Sequence, residues 1–185
     1  STLRWYVIPL LAMVFYIYIL EIKNARESGN WDAVFAGVTL FGTDFLFETL
    51  NGWVFHFSRH SALWTTPGQT ALRTMIGWNI EIMFMFLIAG IIYYHTLSAD
   101  KTARILGVPD KFFWAVFYAA FCVFVECLLN RGGHLVWSYN CWSLSPLGVL
   151  PILCAYVFLF LSPMLVISLK SNRAKAAYAG ATYAA

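Results

Sequence analysis

Five stretches of this 185-residue chain are long and apolar enough to cross a bilayer, and that property constrains its fold more than any motif does. A membrane-crossing helix needs roughly 20 predominantly apolar residues. Residues 5–22, 33–56, 67–97, 111–130 and 149–168 supply such runs. The first is the shortest: its uninterrupted apolar part covers 5–20, and Glu21 and Ile22 carry it into the headgroups. It has no small-residue cleavage site after it and is expected to stay in place as a helix.

Composition agrees. Hydrophobic residues make up 61% of the chain and charged residues 11%, against about 45–50% apolar and about 25% charged in soluble domains. The expected fold class is therefore all-α, a polytopic integral membrane bundle of about five transmembrane helices in a single domain over 1–185. Ser28-Gly29-Asn30 reads as a turn after the first helix, and Gly132-Gly133 as the stop of the fourth. Thr66-Pro67 reads as an N-cap followed by proline at the first helical position, so the third helix is expected to start at 67. That makes it longer than a membrane requires and implies a tilt. Trp137, Tyr139 and Trp142 place 134–148 at a headgroup interface, and the Ala-rich tail 169–185 is expected to be loosely ordered.

The twelve basic residues are spread over the loops with no run to follow a phosphate backbone, which argues against nucleic acid as a partner. With five crossings, Arg4, Arg59, Arg73 and Arg131 fall on one side. Lys23, Arg26, Lys101, Arg104, Lys111, Lys170, Arg173 and Lys175 fall on the other. The positive-inside rule then puts the N terminus outside and the C terminus, with the 169–185 tail, in the cytoplasm. Cys122, Cys127 and Cys154 sit in apolar runs and Cys141 in a loop, with no disulfide framework. There is no Gly-rich phosphate loop, serine nucleophile elbow, Cys-x-x-Cys pair or haem-attachment motif, so no cofactor is implied.

The informative residues are acids inside the apolar runs, because a charge near the bilayer centre costs at least about 2.5 kcal/mol. Asp44, Glu48 and Asn51 are spaced i, i+4, i+7 and share one helix face. Glu126 and Asn130 repeat the i, i+4 spacing on the fourth helix. Asn79 and Glu81 lie early in the third. In a five-helix topology all these groups fall in the outer half of the membrane. Lipid offers them no partner, so helices two, three and four are expected to pack with the acids facing one another, Glu81 rather than Asn79 inward.

Glu48, Glu126, Glu81 and Asp44 are the candidate catalytic acids, with Asn51, Asn79, Asn130, Trp78 and Trp137 as candidate substrate contacts. The structural alternative is that the acids are protonated or hydrogen-bonded groups holding helices together, a contact worth about 0.6 kcal/mol on average. His56, His60 and His134 border the region as candidate metal ligands. His56 and His60 have the i, i+4 spacing but lack the Glu of His-Glu-x-x-His, so solvation at the interface is the expected state.

Acids beside the aromatic walls of Phe41, Phe45, Phe47, Phe84 and Phe86 suit acid–base chemistry on an apolar lipid, such as isomerisation, cyclisation or protonation of an isoprenoid- or sterol-like molecule. The partners expected are membrane lipid, a hydrophobic small molecule and other membrane subunits. Two alternatives stand beside this one. The chain is an accessory subunit binding lipid, pigment or partner helices, or it passes protons or ions through the acid cluster.

Overall fold

A computed structural model describes residues 4–70 and 72–184. Four helices are long and apolar enough to cross a membrane: α1 (Val7–Ser28), α2 (Asp32–Ser58), α4 (Asp110–Arg131) and α5 (Pro146–Ser168). A fifth, α3 (Ile80–Thr96), is apolar between Glu81 in its first turn and His95 in its last, but has 17 residues. At 1.5 Å per residue it rises about 25 Å, short of the roughly 30 Å hydrocarbon core. The chain is a helical membrane bundle, as its composition requires.

The breaks follow local chemistry. Gly29, with φ 75°, ends α1 in the left-handed conformation that glycine adopts without a Cβ penalty. The α4 helix stops at Gly132, followed by Gly133 at φ 74°. Ser145 caps α5 by accepting from the Gly148 N–H. Between α3 and α4 a short hairpin pairs β2 (Arg104–Ile105) with β3 (Val108–Pro109) through Leu106 and Gly107, both with positive φ.

The expected third helix is corrected at its start. The chain does not become helical at Pro67; α3 begins thirteen residues later, and Asn79 is its cap, accepting from the Ile82 N–H at 2.9 Å. Ala71, inside the expected helix, lies outside the described residues. The segment between α2 and α3 instead holds β1 (Trp64–Thr65), which pairs antiparallel with β4 (Val136–Trp137) from the α4–α5 connection. Arg73 donates to the carbonyls of Thr66 and Gly68. Two long connections at the same end of the bundle are thereby joined, and this end is the loop face. Gly77 lies against Glu48, ten residues before the end of α2, so the loop descends between the helices to complete the length α3 lacks. Irregular backbone at that depth is tolerated where protein covers it and its polar groups are paired.

The second correction concerns the tail. Residues Asn172–Ala181 form a sixth helix, α6, capped by Ser171. Lys175 pairs with Asp32 at the start of α2, and Tyr183 donates to the Val38 carbonyl at 2.5 Å and lies 6.4 Å from the Phe45 ring. The tail therefore turns back from the opposite face and climbs beside α2 to about its middle. Tyr178 reaches Ser162 of α5, which is hydrogen-bonded to Thr43 at 2.7 Å. Ala-rich sequence packs here because Gly42 leaves the α2 surface open to Thr182 and Tyr183.

In the half of the bundle toward the opposite face, α2, α3, α4 and α5 meet in a core of Leu40, Phe86, Tyr93, Ala115, Ala119, Leu159 and Phe160. Helices α2 and α3 touch backbone to backbone where Gly90 faces Ala36 and Gly37; a Cβ at Gly90 would meet Gly37 Cα at 2.7 Å. Backbone cannot step aside as a side-chain tip can. Gly90→Val is accordingly expected to cost about 1–3 kcal/mol as an overpacked contact, read as a lower unfolding midpoint in detergent. Gly180→Ala is the control: its Cβ meets nothing within 4 Å, and alanine favours the exposed helix by about 1 kcal/mol.

Candidate functional site

Above that core, toward the loop face, the helices leave a cavity of about 350 Å3. Its origin is a packing detail. The α2 and α4 helices make little direct contact; each packs on α5, while α3 meets α4 at the opposite-face end, where Thr96 and Tyr118 share a hydrogen bond of 2.7 Å. The acid-bearing ends of α2, α3 and α4 are thus held apart around a space floored by Phe86 and Leu159. Asp44, Glu48, Glu81 and Glu126 all line it, so the four carboxylates of three separate helices share one cavity.

Each acid has a distinct setting. Glu48 is 3% exposed and accepts from the Trp64 indole N–H at 2.6 Å through Oε1, while its Oε2 has no hydrogen-bond partner and lies against Gly77. Asp44, one turn earlier, is 7% exposed; the Trp78 indole faces one side of it and Oδ2 is unpartnered. Across the cavity, Glu126 accepts from the Tyr156 hydroxyl at 2.7 Å. Glu81 accepts from Tyr6, the residue before α1, and from Thr70 of the loop, both at 2.5 Å. Buried polar atoms are ordinarily paired; Asp44 Oδ2 and Glu48 Oε2 are instead enclosed by the protein, beside the Trp78 indole and Gly77 respectively.

The amides do other work. Asn51 is fully buried behind the cavity wall: it donates to the Trp64 carbonyl and accepts from the Leu63 and Trp64 N–H groups, fixing the loop that carries Trp64. Asn130 donates to the Leu135 carbonyl and ties down the α4–α5 connection. Asn79 both caps α3 and lines the cavity. Trp78 is buried behind Asp44, stacked 5.2 Å from Phe41, and Trp137 sits on β4, paired through its backbone with Trp64.

Of the histidines, His134 reaches the cavity rim, whereas His56 and His60 are exposed and stack edge-on with Phe57 and Tyr139. Among the described residues no group of three His, Cys, Asp or Glu side chains is placed to hold a metal.

Reasoning from sequence passed over Trp64, Tyr156, Tyr6 and Thr70, and read Trp142 only as an aromatic at the headgroup level. Trp64 and Trp142 stack at 5.3 Å and form the loop-side wall. Gly68, Gln69 and His134 line the cavity toward the loop face. Met85 of α3 and Phe121 of α4, 43% and 54% exposed, line it at the surface of the bundle.

The profile described as an uncharacterized membrane protein family matches residues 1–185. An uncharacterized protein of Archaeoglobus fulgidus is 42% identical over 161 residues, covering 87% of this chain and 74% of that protein. No solved structure matches. Matched along its whole length, the chain belongs to that uncharacterized membrane protein family.

Proposed function

We propose that this protein is a membrane enzyme that moves a proton on an unsaturated, hydrophobic lipid of isoprenoid or sterol-like type. The single observation that carries the reading is that four carboxyl groups line one apolar-walled cavity whose wall includes the surface residues Met85 of α3 and Phe121 of α4. Glu48 lines the cavity with its Oε1 held by the Trp64 indole, a setting that lets its protonated carboxyl donate to an alkene carbon. Glu126, held by Tyr156 on the other wall, accepts a proton from the adjacent carbon. One proton enters and one leaves, so the lipid is isomerised without a redox partner, and an internal attack before proton loss would give a ring. Phe86, Phe121 and Trp142 supply aromatic surface to the positive charge that develops between the two steps.

The direct test is solvent isotope. Vesicles containing the protein are incubated in deuterium oxide with a panel of unsaturated isoprenoid alcohols, isoprenoid hydrocarbons and sterols, and the lipids are analysed by mass spectrometry for carbon-bound deuterium. Uptake into at least one lipid, absent from protein-free vesicles, is expected. A panel left wholly unlabelled would sink the reading.

A further inference from the structure

Charge is distributed unevenly at the loop face. The segments that form it, residues 4–6, 59–79 and 131–145, contain Arg4, Arg59, Arg73 and Arg131 and no Asp or Glu. Two of these arginines, together with His134, converge on one stretch of the loop. Arg4 donates to the Gln69 side chain, Arg73 donates to the Gly68 carbonyl at 2.9 Å, and His134 Nδ1 stands 3.9 Å from where a Cβ of Gly68 would be. Gly68, Gln69 and His134 are exposed, and all three line the cavity. The arginine contacts use Nη2 of each guanidinium, which has five N–H donors in all. The acid beside this loop, Glu81, has one oxygen on Tyr6 and the other on Thr70. Cationic and N–H-donating side chains thus crowd the loop end of a cavity whose deeper wall includes the hydrocarbon of Ile82, Phe86 and Leu159.

We propose that the lipid taken by this cavity carries a phosphate head: the head lies at Gly68 and Gln69 among Arg4, Arg73 and His134, and the hydrocarbon runs inward past Ile82 and Phe86. Donors from three separate segments match the three terminal oxygens of a phosphate monoester, and a guanidinium meets such oxygens two at a time. An amphiphile also orients this way in a bilayer, with its charge at the surface and its chain at depth. Free phosphate shares the head-group chemistry; the lipid is favoured because the cationic end and the cavity have Gly68, Gln69 and His134 in common. The inference rests on the proposed proton-transfer reading in one respect, that both place hydrocarbon in the same cavity. Its own demand falls on the head group alone.

Isothermal titration of the full protein in uncharged maltoside micelles, in phosphate-free buffer with empty micelles as the blank, compares farnesyl phosphate, farnesol and inorganic phosphate. Farnesyl phosphate is expected to saturate a single site and to bind at least about tenfold more tightly than farnesol, the worth of one hydrogen bond to a charged group. Inorganic phosphate should show no saturable site. Arg4→Gln should cut the preference for the phosphate over the alcohol by about three- to tenfold, whereas Arg59→Gln, at the C-cap of α2 on the same face, should leave it unchanged. Farnesol binding as tightly as its phosphate overturns the inference, and so does inorganic phosphate saturating a site as strongly as the lipid does. Equal effects of the two arginine substitutions would also overturn it, since they would assign the preference to the general charge of the face. If Arg4→Gln fails to fold, the ranking of the three ligands on the unaltered protein decides alone. Phosphate-selective binding with no deuterium transfer to any lipid would remove the catalytic reading and leave this one; deuterium transfer without phosphate selectivity would do the reverse.

Discussion

Asn51→Leu is expected to lower the stability of the bundle by about 3 kcal/mol and to open the cavity at its loop side. The side chain is fully buried and makes three hydrogen bonds, one to the Trp64 carbonyl and two from the Leu63 and Trp64 N–H groups. Leucine keeps the volume but leaves two donors and one acceptor without partners, each costing about 1–3 kcal/mol if it stays buried. Water entering from the loop face recovers part of that, so the sum is set near the lower end. The consequence reaches further than Asn51, because the same backbone holds Trp64 against Glu48 at 2.6 Å and against Trp142.

Equilibrium unfolding in mixed micelles should show the shift, and tryptophan emission of the folded variant should move to the red as the Trp64–Trp142 stack meets water. Asn51→Asp makes the argument specific. It keeps the acceptor for both N–H groups and turns the donor toward Trp64 O into a second acceptor, so it should lose one bond and add a repulsion, landing between wild type and Leu. Equal stability of all three proteins would mean that the loop is held by the β1–β4 pairing and Arg73 without Asn51.

The fate of Asn51 also shows where sequence was informative and where it was not. That Asp44, Glu48 and Asn51 share a face follows from their spacing, and the depth of Glu81 and Glu126 follows from the order of apolar runs. Those two facts were enough to expect one acid cluster in one half of the membrane. Whether an amide on that face touches a ligand or a loop backbone depends on what the loop does, and the loop was misread. Thr66-Pro67 is a sound local helix start, but Gly68, Gly77 and the polar 65–70 stretch disfavour a continuous helix, and pairing with β4 from a segment seventy residues away decided the outcome. A Cβ at Gly77 would collide with the Trp64 indole and sit 2.8 Å from Glu48 Oε2, which shows why the chain passes that point as loop with glycine.

The role of α5 was hidden for a different reason. Tyr156 carries no charge and stands in an apolar run, so nothing in its neighbourhood distinguishes it from a packing aromatic. The tail misled similarly: α6 has little apolar surface of its own, and it is held by the Lys175–Asp32 ion pair and by Tyr178 and Tyr183 against α5 and α2, contacts that its own sequence does not announce.

Glu126→Gln is expected to reduce turnover of whichever lipid takes up deuterium by about 10²–10⁴-fold, the usual worth of a positioned general acid or base. Glutamine preserves the volume and still accepts from Tyr156, so the fold should hold and the loss should fall on the chemical step. Tyr156→Phe removes only the hydroxyl that orients Glu126, and about a tenfold loss is expected, in line with one hydrogen bond to a charged group. The diagnostic quantity is the double variant. If Tyr156 acts through Glu126, its removal from the Gln background changes little more, and the two effects fall well short of multiplying. Independent effects would instead place the tyrosine hydroxyl on the substrate. A Glu126→Gln protein with normal unfolding and undiminished turnover would transfer the base role to Glu81, whose two short hydrogen bonds from Tyr6 and Thr70 make it the next carboxylate held in place at the cavity wall.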